Sequence, residues 1–463
     1  MPALRLSEVV SATGGTLVRG EAETRVDSFD IDTRRIRPGG LFFALEGSRT
    51  DGHDYLDDAA RAGGVAAVVE RETAGGAGLP ALIRVGDAVA ALEACGVAAR
   101  AKSGAKFIAV TGSVGKTTTK NLIAAGLAAT HRVYSTEGNR NNHLGVPLTL
   151  LAAPEDAHFV VVELGMSAPG EIAHLTRLAR PDVGLVTNVR AAHMEFFDSL
   201  DDVAAAKGEL YAVLRREATS VVNLDDKHVR VQAARHAGPR VTFGRGGGAD
   251  VTLESVHDRL IPGAGLTFGH GGRMRTVQLA LAGAHNAWNA LAALAAVVAA
   301  GADVDAAAEA MGRVEPAAGR CKVHRLPADV VVVDDSYNSS PNALAAILEM
   351  LRHCRPSGRK ILVMGDMLEL GPREGHYHRE AGRRAAQVGI DILVGVGSRA
   401  RAALDTARRG GVPETRHEKD AASAAETLPG LVRPGDLLVV KGSRAVGLEK
   451  VVAALLQVSV GTR

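Results

Sequence analysis

Aromatic side chains are scarce in this chain: Phe, Trp and Tyr together make up 3% of 463 residues. Its cores must therefore be built from Val, Leu, Ile and Ala. Cysteine is nearly absent too. Cys95, Cys321 and Cys354 are odd in number and far apart, which excludes a disulfide framework or a zinc cluster and fits a reducing compartment. An excess of one charge is also missing: 54 Lys+Arg stand against 52 Asp+Glu, for a net charge of +2. That balance leaves neither a basic field for nucleic acid nor an acidic tail. The apolar run Ala290–Ala300 is Ala-rich and falls short of the ~20 residues a membrane helix needs. Met1–Arg5 runs straight into Ser7 and Glu8, without the apolar stretch of a signal peptide. With 46% apolar and 23% charged residues, the composition is ordinary and globular. The expectation is a soluble, cytoplasmic, monomeric protein of about two to four domains.

What the chain does contain is short runs of Val, Ile and Leu: Phe107–Val110, Phe159–Val162, Val183–Val186, Val330–Val333, Ile361–Val363, Ile392–Val394 and Leu437–Val440. Strands that are apolar throughout belong in parallel sheets covered by helices on both faces. Helix-length segments such as Lys120–Thr130, Val203–Arg216 and Ala287–Ala300 lie between them, so the fold class expected is α/β with open sheets. The helical segment Asp87–Ala101 puts a domain boundary near 100. Pro316-Ala-Ala318 interrupts a helical pattern and puts a second boundary near 315. Domains over 1–100, 101–315 and 316–463 are expected, with an antiparallel excursion over the Gly-rich stretch Phe243–Gly272.

The sharpest local pattern is Phe107-Ile-Ala-Val-Thr-Gly-Ser-Val-Gly-Lys-Thr-Thr-Thr-Lys120. An apolar strand enters a Gly-bounded turn, and a helix follows. Glycines let backbone N–H groups approach phosphate oxygens, and the helix N-terminus adds positive potential. Gly112, Ser113, Val114 and Gly115 would cradle the phosphates with Thr118, Lys116 would reach the terminal ones, and the Thr117 hydroxyl would hold Mg²⁺. Val110 stands where the longer phosphate-loop pattern has its first Gly, so the loop is the short Thr-Gly-x-x-Gly-Lys-Thr-Thr form. ATP is the expected ligand.

Three further polar residues follow. Glu163 closes the strand Phe159–Val162, the end at which open α/β sheets bind ligands. His193 lies just past another strand end, and Lys207 lies in the helical segment Val203–Arg216. Taken alone, a lone His is more often structural and a helix Lys more often solvated. An imidazole can ligate a metal, whereas an ammonium has no lone pair to offer.

In sequence order come Thr111-Gly-Ser-Val-Gly-Lys-Thr-Thr118, Gly138-Asn-Arg-Asn-Asn-His-Leu-Gly-Val-Pro-Leu-Thr149, Glu163-Leu-Gly-Met-Ser167, Ala192-His-Met-Glu195, Ala206-Lys-Gly-Glu209, Gly283-Ala-His-Asn-Ala-Trp-Asn289, Gly319-Arg320, Asp334-Asp-Ser-Tyr-Asn-Ser-Ser-Pro341, Met364-Gly-Asp-Met-Leu-Glu-Leu-Gly371 and Lys441-Gly-Ser-Arg444. In this joint order the chain resembles the Mur ligase family, ATP-dependent amide-forming enzymes of bacterial cell-wall precursor synthesis. Asp334-Asp-Ser-Tyr-Asn338 is similar to the motif of members that add D-alanyl-D-alanine, although Ser339-Ser340 replaces the usual Ala-Asn. Asp32-Thr-Arg34 and Pro38–Gly47 resemble the family's uridine-nucleotide module, with Thr33 in place of the usual Ser.

The resemblance implies a three-domain architecture: a UDP-substrate module, a central P-loop parallel-sheet ATPase domain and a C-terminal Rossmann-like domain. It implies that UDP-N-acetylmuramoyl-tripeptide and D-alanyl-D-alanine are the substrates, joined through an acyl phosphate with release of ADP and phosphate. Lys116, Glu163, His193 and Lys207 become catalytic, and two Mg²⁺ ions are held by Thr117, Glu163, His193 and an N6-carboxylated Lys207. His285, Asn286, Asn289, Arg320 and Asp335 would contact the ATP nucleoside. Asp32, Thr33, Arg34, Phe43, Gly47, Asn141, Asn142, Tyr337, Asn338, Lys441, Ser443 and Arg444 would contact substrate. The rival readings are folylpolyglutamate synthetase, a Mur-type ligase adding one amino acid, and a nucleotide-binding protein with a decayed site. The uridine module speaks against the first, Tyr337-Asn338 against the second, and intact Lys116, Glu163, His193 and Lys207 against the third.

Overall fold

The structure, a computed structural model, describes residues 4–48, 50–71, 75–190, 197–257, 260 and 263–458. Three sheets follow one another along the chain, beside a small pair formed by Leu4–Arg5 and Arg25–Val26. The N-terminal sheet runs Thr16–Arg19, Ala81–Arg84, Ala66–Val69, Gly40–Phe43, Ser28–Asp30, and only its first strand is antiparallel to its neighbour. The helix Ala88–Lys102 follows, opened by the Asp87 carboxylate, which accepts from the Ala90 N–H. Its Leu92 and Cys95 pack with Leu148 and Leu151 of the helix Gly145–Ala152, so this module is seated on the central domain. Gly96 permits that closeness, because a Cβ there would lie 3.0 Å from Pro147 Cα.

The central sheet has nine strands in the order Val133–Ser135, Phe159–Glu163, Lys106–Thr111, Val183–Val186, Thr219–Asn223, Arg240–Arg245, Val251–His257, Gly265–His270, Arg273–Gln278. All are parallel up to Val251–His257, and the last two pair antiparallel. The antiparallel excursion therefore starts later than the glycines of 246–248 suggest. These glycines let the chain double back, and the Asp250 carboxylate fixes the link by accepting from the Thr242 N–H and hydroxyl. Strand alternation divides the core: Ile108 and Val110 face the helices Lys116–Ala128 and Ala284–Ala300, while Phe107 and Ala109 face Ile172, Val203 and Leu210. The run Ala290–Ala300 is thus a core stripe. Among the described residues no helix is long and apolar enough to cross a membrane.

The third sheet runs Lys322–Leu326, Val330–Asp335, Leu437–Lys441, Lys360–Gly365, Ile392–Val396, Glu414–Glu418, parallel except for its first strand. All seven apolar runs noted in the sequence are strands of the two larger sheets. The three cysteines are free thiols, and burial pushes Cys95 up to about 12.

Candidate active site

The strand Lys106–Thr111 ends in a loop whose shape is set by its neighbours. Gly112 (φ +145°) and Gly115 (φ +85°) take conformations that L side chains rarely adopt. A Cβ on Gly112 would lie 2.0 Å from Thr187 Oγ1, and one on Gly115 would lie 2.2 Å from Asn289 Oδ1. From the end of the adjacent strand, Thr187 Oγ1 and Asn188 Nδ2 donate to the Val114 carbonyl at 2.8 and 2.9 Å, and the Ser113 N–H donates to the Asn188 carbonyl. The Ser113 hydroxyl also bonds both the N–H and the carbonyl of Arg190. The loop is therefore preformed. Lys116 opens the following helix and turns its ammonium back onto the Gly112 carbonyl at 2.9 Å, while Thr117 and Thr118 stand half-buried in the first turn.

Around this loop the charges are unevenly matched. Lys207 is buried at 1% exposure on the helix Leu200–Val213 and has no hydrogen bond or ion pair with any described residue. Desolvation first, and then the nearby Lys116 charge, hold its ammonium well below the usual lysine range. Lys116 is lowered by desolvation, partly offset by Glu163, with Arg320 of the third domain lowering it further. Glu163 is buried at the end of its strand. Its Oε1 accepts from Asn141 Nδ2 at 2.9 Å, and its Oε2 has no partner. A buried, unpartnered carboxylate oxygen is costly unless a cation arrives. Oε2 is the observation by which this site fits a metal, although the described residues hold no group of three His, Cys, Asp or Glu that would bind one unaided. His193 lies outside the described residues.

Asn286 and Asn289 are buried on the helix Ala284–Ala300. Asn289 donates to Asn286 Oδ1 and Asn286 to the Ala282 carbonyl, which braces the helix against the Gly115 turn, and His285 lies half-buried beside them. In the third domain, Arg320 lies over the Tyr337 ring at 4.3 Å and Arg444 lies 5.5 Å from it. Asp335 accepts from the Cys321 N–H and is ion-paired to Lys441 at 2.5 Å; the same ammonium reaches the carbonyl of the exposed Asn338 at 3.0 Å. The Ser443 hydroxyl accepts from the Leu368 N–H, so it holds a loop of its own domain.

The remaining expected substrate residues lie apart from the loop. Asp32 caps the short turn Thr33–Arg35 and pairs with Arg34, which is otherwise solvated. Phe43 lies wholly in the N-terminal core, and Gly47 sits in an exposed turn. Asn142 accepts from the N–H of Gly145, the first residue of the helix Gly145–Ala152. Sequence reasoning passed over Lys120, whose ammonium reaches the Thr136 carbonyl, and Arg140, which is paired with Asp30. Only the spacing of Lys120, four residues after Lys116 on one helix face, could have drawn attention to the first. A cavity of about 340 Å³ opens beside this site between the central and third domains, lined by Arg190, Asp226, His228 and Asn342 among others. A larger one, about 370 Å³, opens at the opposite strand ends of the third domain.

A preformed phosphate loop, a buried carboxylate beside it and an arginine delivered from a second α/β domain define an enzyme that works on a nucleotide between domains. The chain belongs to the Mur ligase family: residues 25–103 match the Mur ligase family catalytic domain, 110–297 the Mur ligase middle domain, and 319–444 the Mur ligase glutamate ligase domain. It is 33% identical to the UDP-N-acetylmuramoyl-tripeptide–D-alanyl-D-alanine ligase of Bacillus subtilis, over 98% of both chains. It is 35% identical to the ligase of the same name from Escherichia coli, over 98% of this chain and 99% of that one. Among solved structures it is similar to MurF from Acinetobacter baumannii, with a TM-score of 0.88 and 29% identity over 99% of both chains. MurF ligase from Thermotoga maritima in complex with ADP aligns with a TM-score of 0.81 and 29% identity over 93% of this chain and 97% of that one.

Proposed function

We propose that this protein joins D-alanyl-D-alanine to the free carboxylate of UDP-N-acetylmuramoyl-tripeptide at the expense of ATP, in the cytoplasm, during peptidoglycan precursor synthesis. The observation that carries this reading is the convergence of Lys116, Glu163, Lys207 and Arg320 on one preformed phosphate loop, together with full-length similarity to ligases of that name.

A carboxylate at neutral pH does not form an amide without a leaving group. The tripeptide carboxylate oxygen attacks the γ-phosphorus, the bond to the β-bridging oxygen breaks, and ADP leaves. The dipeptide amine then attacks the acyl carbon, loses a proton, and expels phosphate. Two anions must meet in the first step, so cations have to offset their repulsion. Lys116, the helix N-terminus and Arg320 do so from the chain itself. Thr117, Glu163, His193 and Lys207 would hold Mg²⁺, which would supply further charge neutralisation. Lys207 suits that role only in altered form: its uncharged amine adds to CO₂ and loses a proton, giving a carbamate whose oxygens are carboxylate-like. The cavity beside Arg190 gives the acceptor a seat next to the loop, and closing the domains keeps water from the acyl phosphate.

The test is phosphate release by the purified chain with ATP, Mg²⁺ and UDP-N-acetylmuramoyl-tripeptide. Release that requires D-alanyl-D-alanine and is not supported by single amino acids is expected. Release indifferent to the acceptor, or satisfied by one amino acid, would overturn the reading. For the carbamate, Lys207→Ala should regain part of its lost activity with added short carboxylic acids, and a flat response would count against it.

A further inference from the structure

The segment Thr136–Asn142 leads from the strand Val133–Ser135 to the helix Gly145–Ala152, and it is gripped from two sides. On one side Arg140 donates to Asp30 Oδ2 at 2.7 Å, and both side chains are largely buried. The other oxygen of Asp30 accepts from the Ile31 and Asp32 N–H groups, so the same carboxylate shapes the start of the Asp32–Arg34 turn. On the other side Asn141, the next residue, donates to Glu163 Oε1 and accepts from the Gly165 N–H at 2.7 Å. Gly165 leaves no slack, since a Cβ there would lie 2.8 Å from Asn141 Oδ1. The segment's first residue, Thr136, accepts from the Glu163 N–H through its hydroxyl and from Lys120 through its carbonyl.

Glu163 is thus held at its backbone and at one carboxylate oxygen by a single short segment. The same segment is anchored, one residue away, to the carboxylate that orders the Asp32–Arg34 turn. Arg35 also lies 3.4 Å from Asp30 and donates to Glu137 of the same segment at 3.1 Å, but it is half exposed, so the largely buried Arg140–Asp30 pair is the stiffer of the two ties between turn and segment. We infer that Arg140 and Asn141 are positioning residues that link occupancy of the N-terminal module to the placement of Glu163 at the phosphate site. The inference rests on the functional reading above, which puts a uridine nucleotide on that module and a metal beside Glu163. Its consequence is reciprocal: the nucleotide substrate tightens binding of a magnesium–ATP analogue, and the analogue tightens the nucleotide by the same factor.

The experiment is calorimetric titration of the full chain with Mg²⁺ and the non-hydrolysable analogue AMP-PNP, with and without saturating UDP-N-acetylmuramoyl-tripeptide. For the wild type the affinity ratio should lie in the usual range for coupled sites, about 5–150-fold. Arg140→Ala should lower the ratio several-fold, and the double variant Arg35→Ala/Arg140→Ala should bring it to within about twofold of one, while binary analogue binding stays nearly unchanged. Arg140→Gln, which keeps a donor for Asp30 and much of the side-chain volume but removes the charge, should lower the ratio in the same direction and serves if Arg140→Ala does not fold. A merely structural defect would weaken both affinities and leave their ratio intact, and that result overturns the link. A wild-type ratio of one overturns it as well. A wild type that binds the analogue but not the nucleotide brings down the functional reading along with the link.

Discussion

Two lysines, Lys207 in the central domain and Lys441 in the third, are equally buried at 1% and 2% exposure, yet the chain treats them in opposite ways. Lys441 is answered on the spot by the Asp335 carboxylate and the Asn338 carbonyl. Lys207 meets no acceptor among the described residues, faces the positive Lys116, and is pushed toward its neutral form. Burying an ammonium without a partner is among the costliest things a fold can do. The third domain answers the Lys441 ammonium with its own residues, whereas the central domain leaves Lys207 unanswered among the described residues. Around the same Lys116, the central domain also leaves a buried carboxylate oxygen, Glu163 Oε2, without a partner.

The most severe way to break this contrast is to remove a central-domain cation and look for a folding defect. Lys116→Ala should lower kcat/KM by on the order of 10³-fold or more, as loss of a key donor to developing charge does. Its unfolding midpoint in denaturant should stay close to that of the wild type, because Lys116 donates only to a loop carbonyl. A large loss of stability with modest loss of turnover would put Lys116 in the same class as Lys441. Conversely, Lys441→Met should cost about 3–5 kcal/mol of stability, the usual penalty for stranding one member of a buried pair, here Asp335. Chemical denaturation measures it, and a neutral result would show that the pair is dispensable.

Lys207 sharpens the contrast through pH. Its folded-state pKa lies below the unfolded value of about 10.4, so between the two the unfolded chain holds a proton that the folded chain lacks. Stability from this group therefore rises with pH across that window, by up to about 1.4 kcal/mol per unit, and is lost as pH falls through the folded pKa. In CO₂-free buffer the wild type should gain stability on Lys207→Met between pH 7 and 9. Parallel curves for the two proteins would mean that Lys207 is charged and paired in the folded state.

This imbalance was only partly legible in the sequence. The phosphate loop and the seven apolar strands are local patterns: glycine spacing and continuous burial write themselves into a few consecutive residues. The edge strand Glu414–Glu418, reading Glu-Thr-Arg-His-Glu, carries no such pattern because only its inner neighbour is covered by the core. The grip of Asn141 on Glu163 spans 22 positions and that of Arg140 on Asp30 spans 110, so no window of sequence contains either contact. Lys207 and Lys441 read alike as lysines near strand ends or on helices. What separates them is Asp335, placed beside Lys441 by the parallel register of two strands distant in the chain.

The smallest and most discriminating test is Lys120, which stands between the two cases. It is buried at 4% exposure and lowered by desolvation, which the nearby Glu163 offsets in part, and its ammonium donates to one neutral acceptor, the Thr136 carbonyl. A hydrogen bond from a charged group contributes about 1.5–3 kcal/mol, and desolvation of the ammonium takes back a similar amount. Lys120→Met keeps the apolar stem and removes both effects, so its stability should change by about 1 kcal/mol or less. That places it between the loss expected for Lys441→Met and the pH-dependent effect of Lys207→Met. Denaturant midpoints for the three variants at one pH decide the order. A Lys120→Met cost matching that of Lys441→Met would mean that a carbonyl satisfies a buried ammonium as well as a carboxylate does, and the distinction drawn between the two domains would fail.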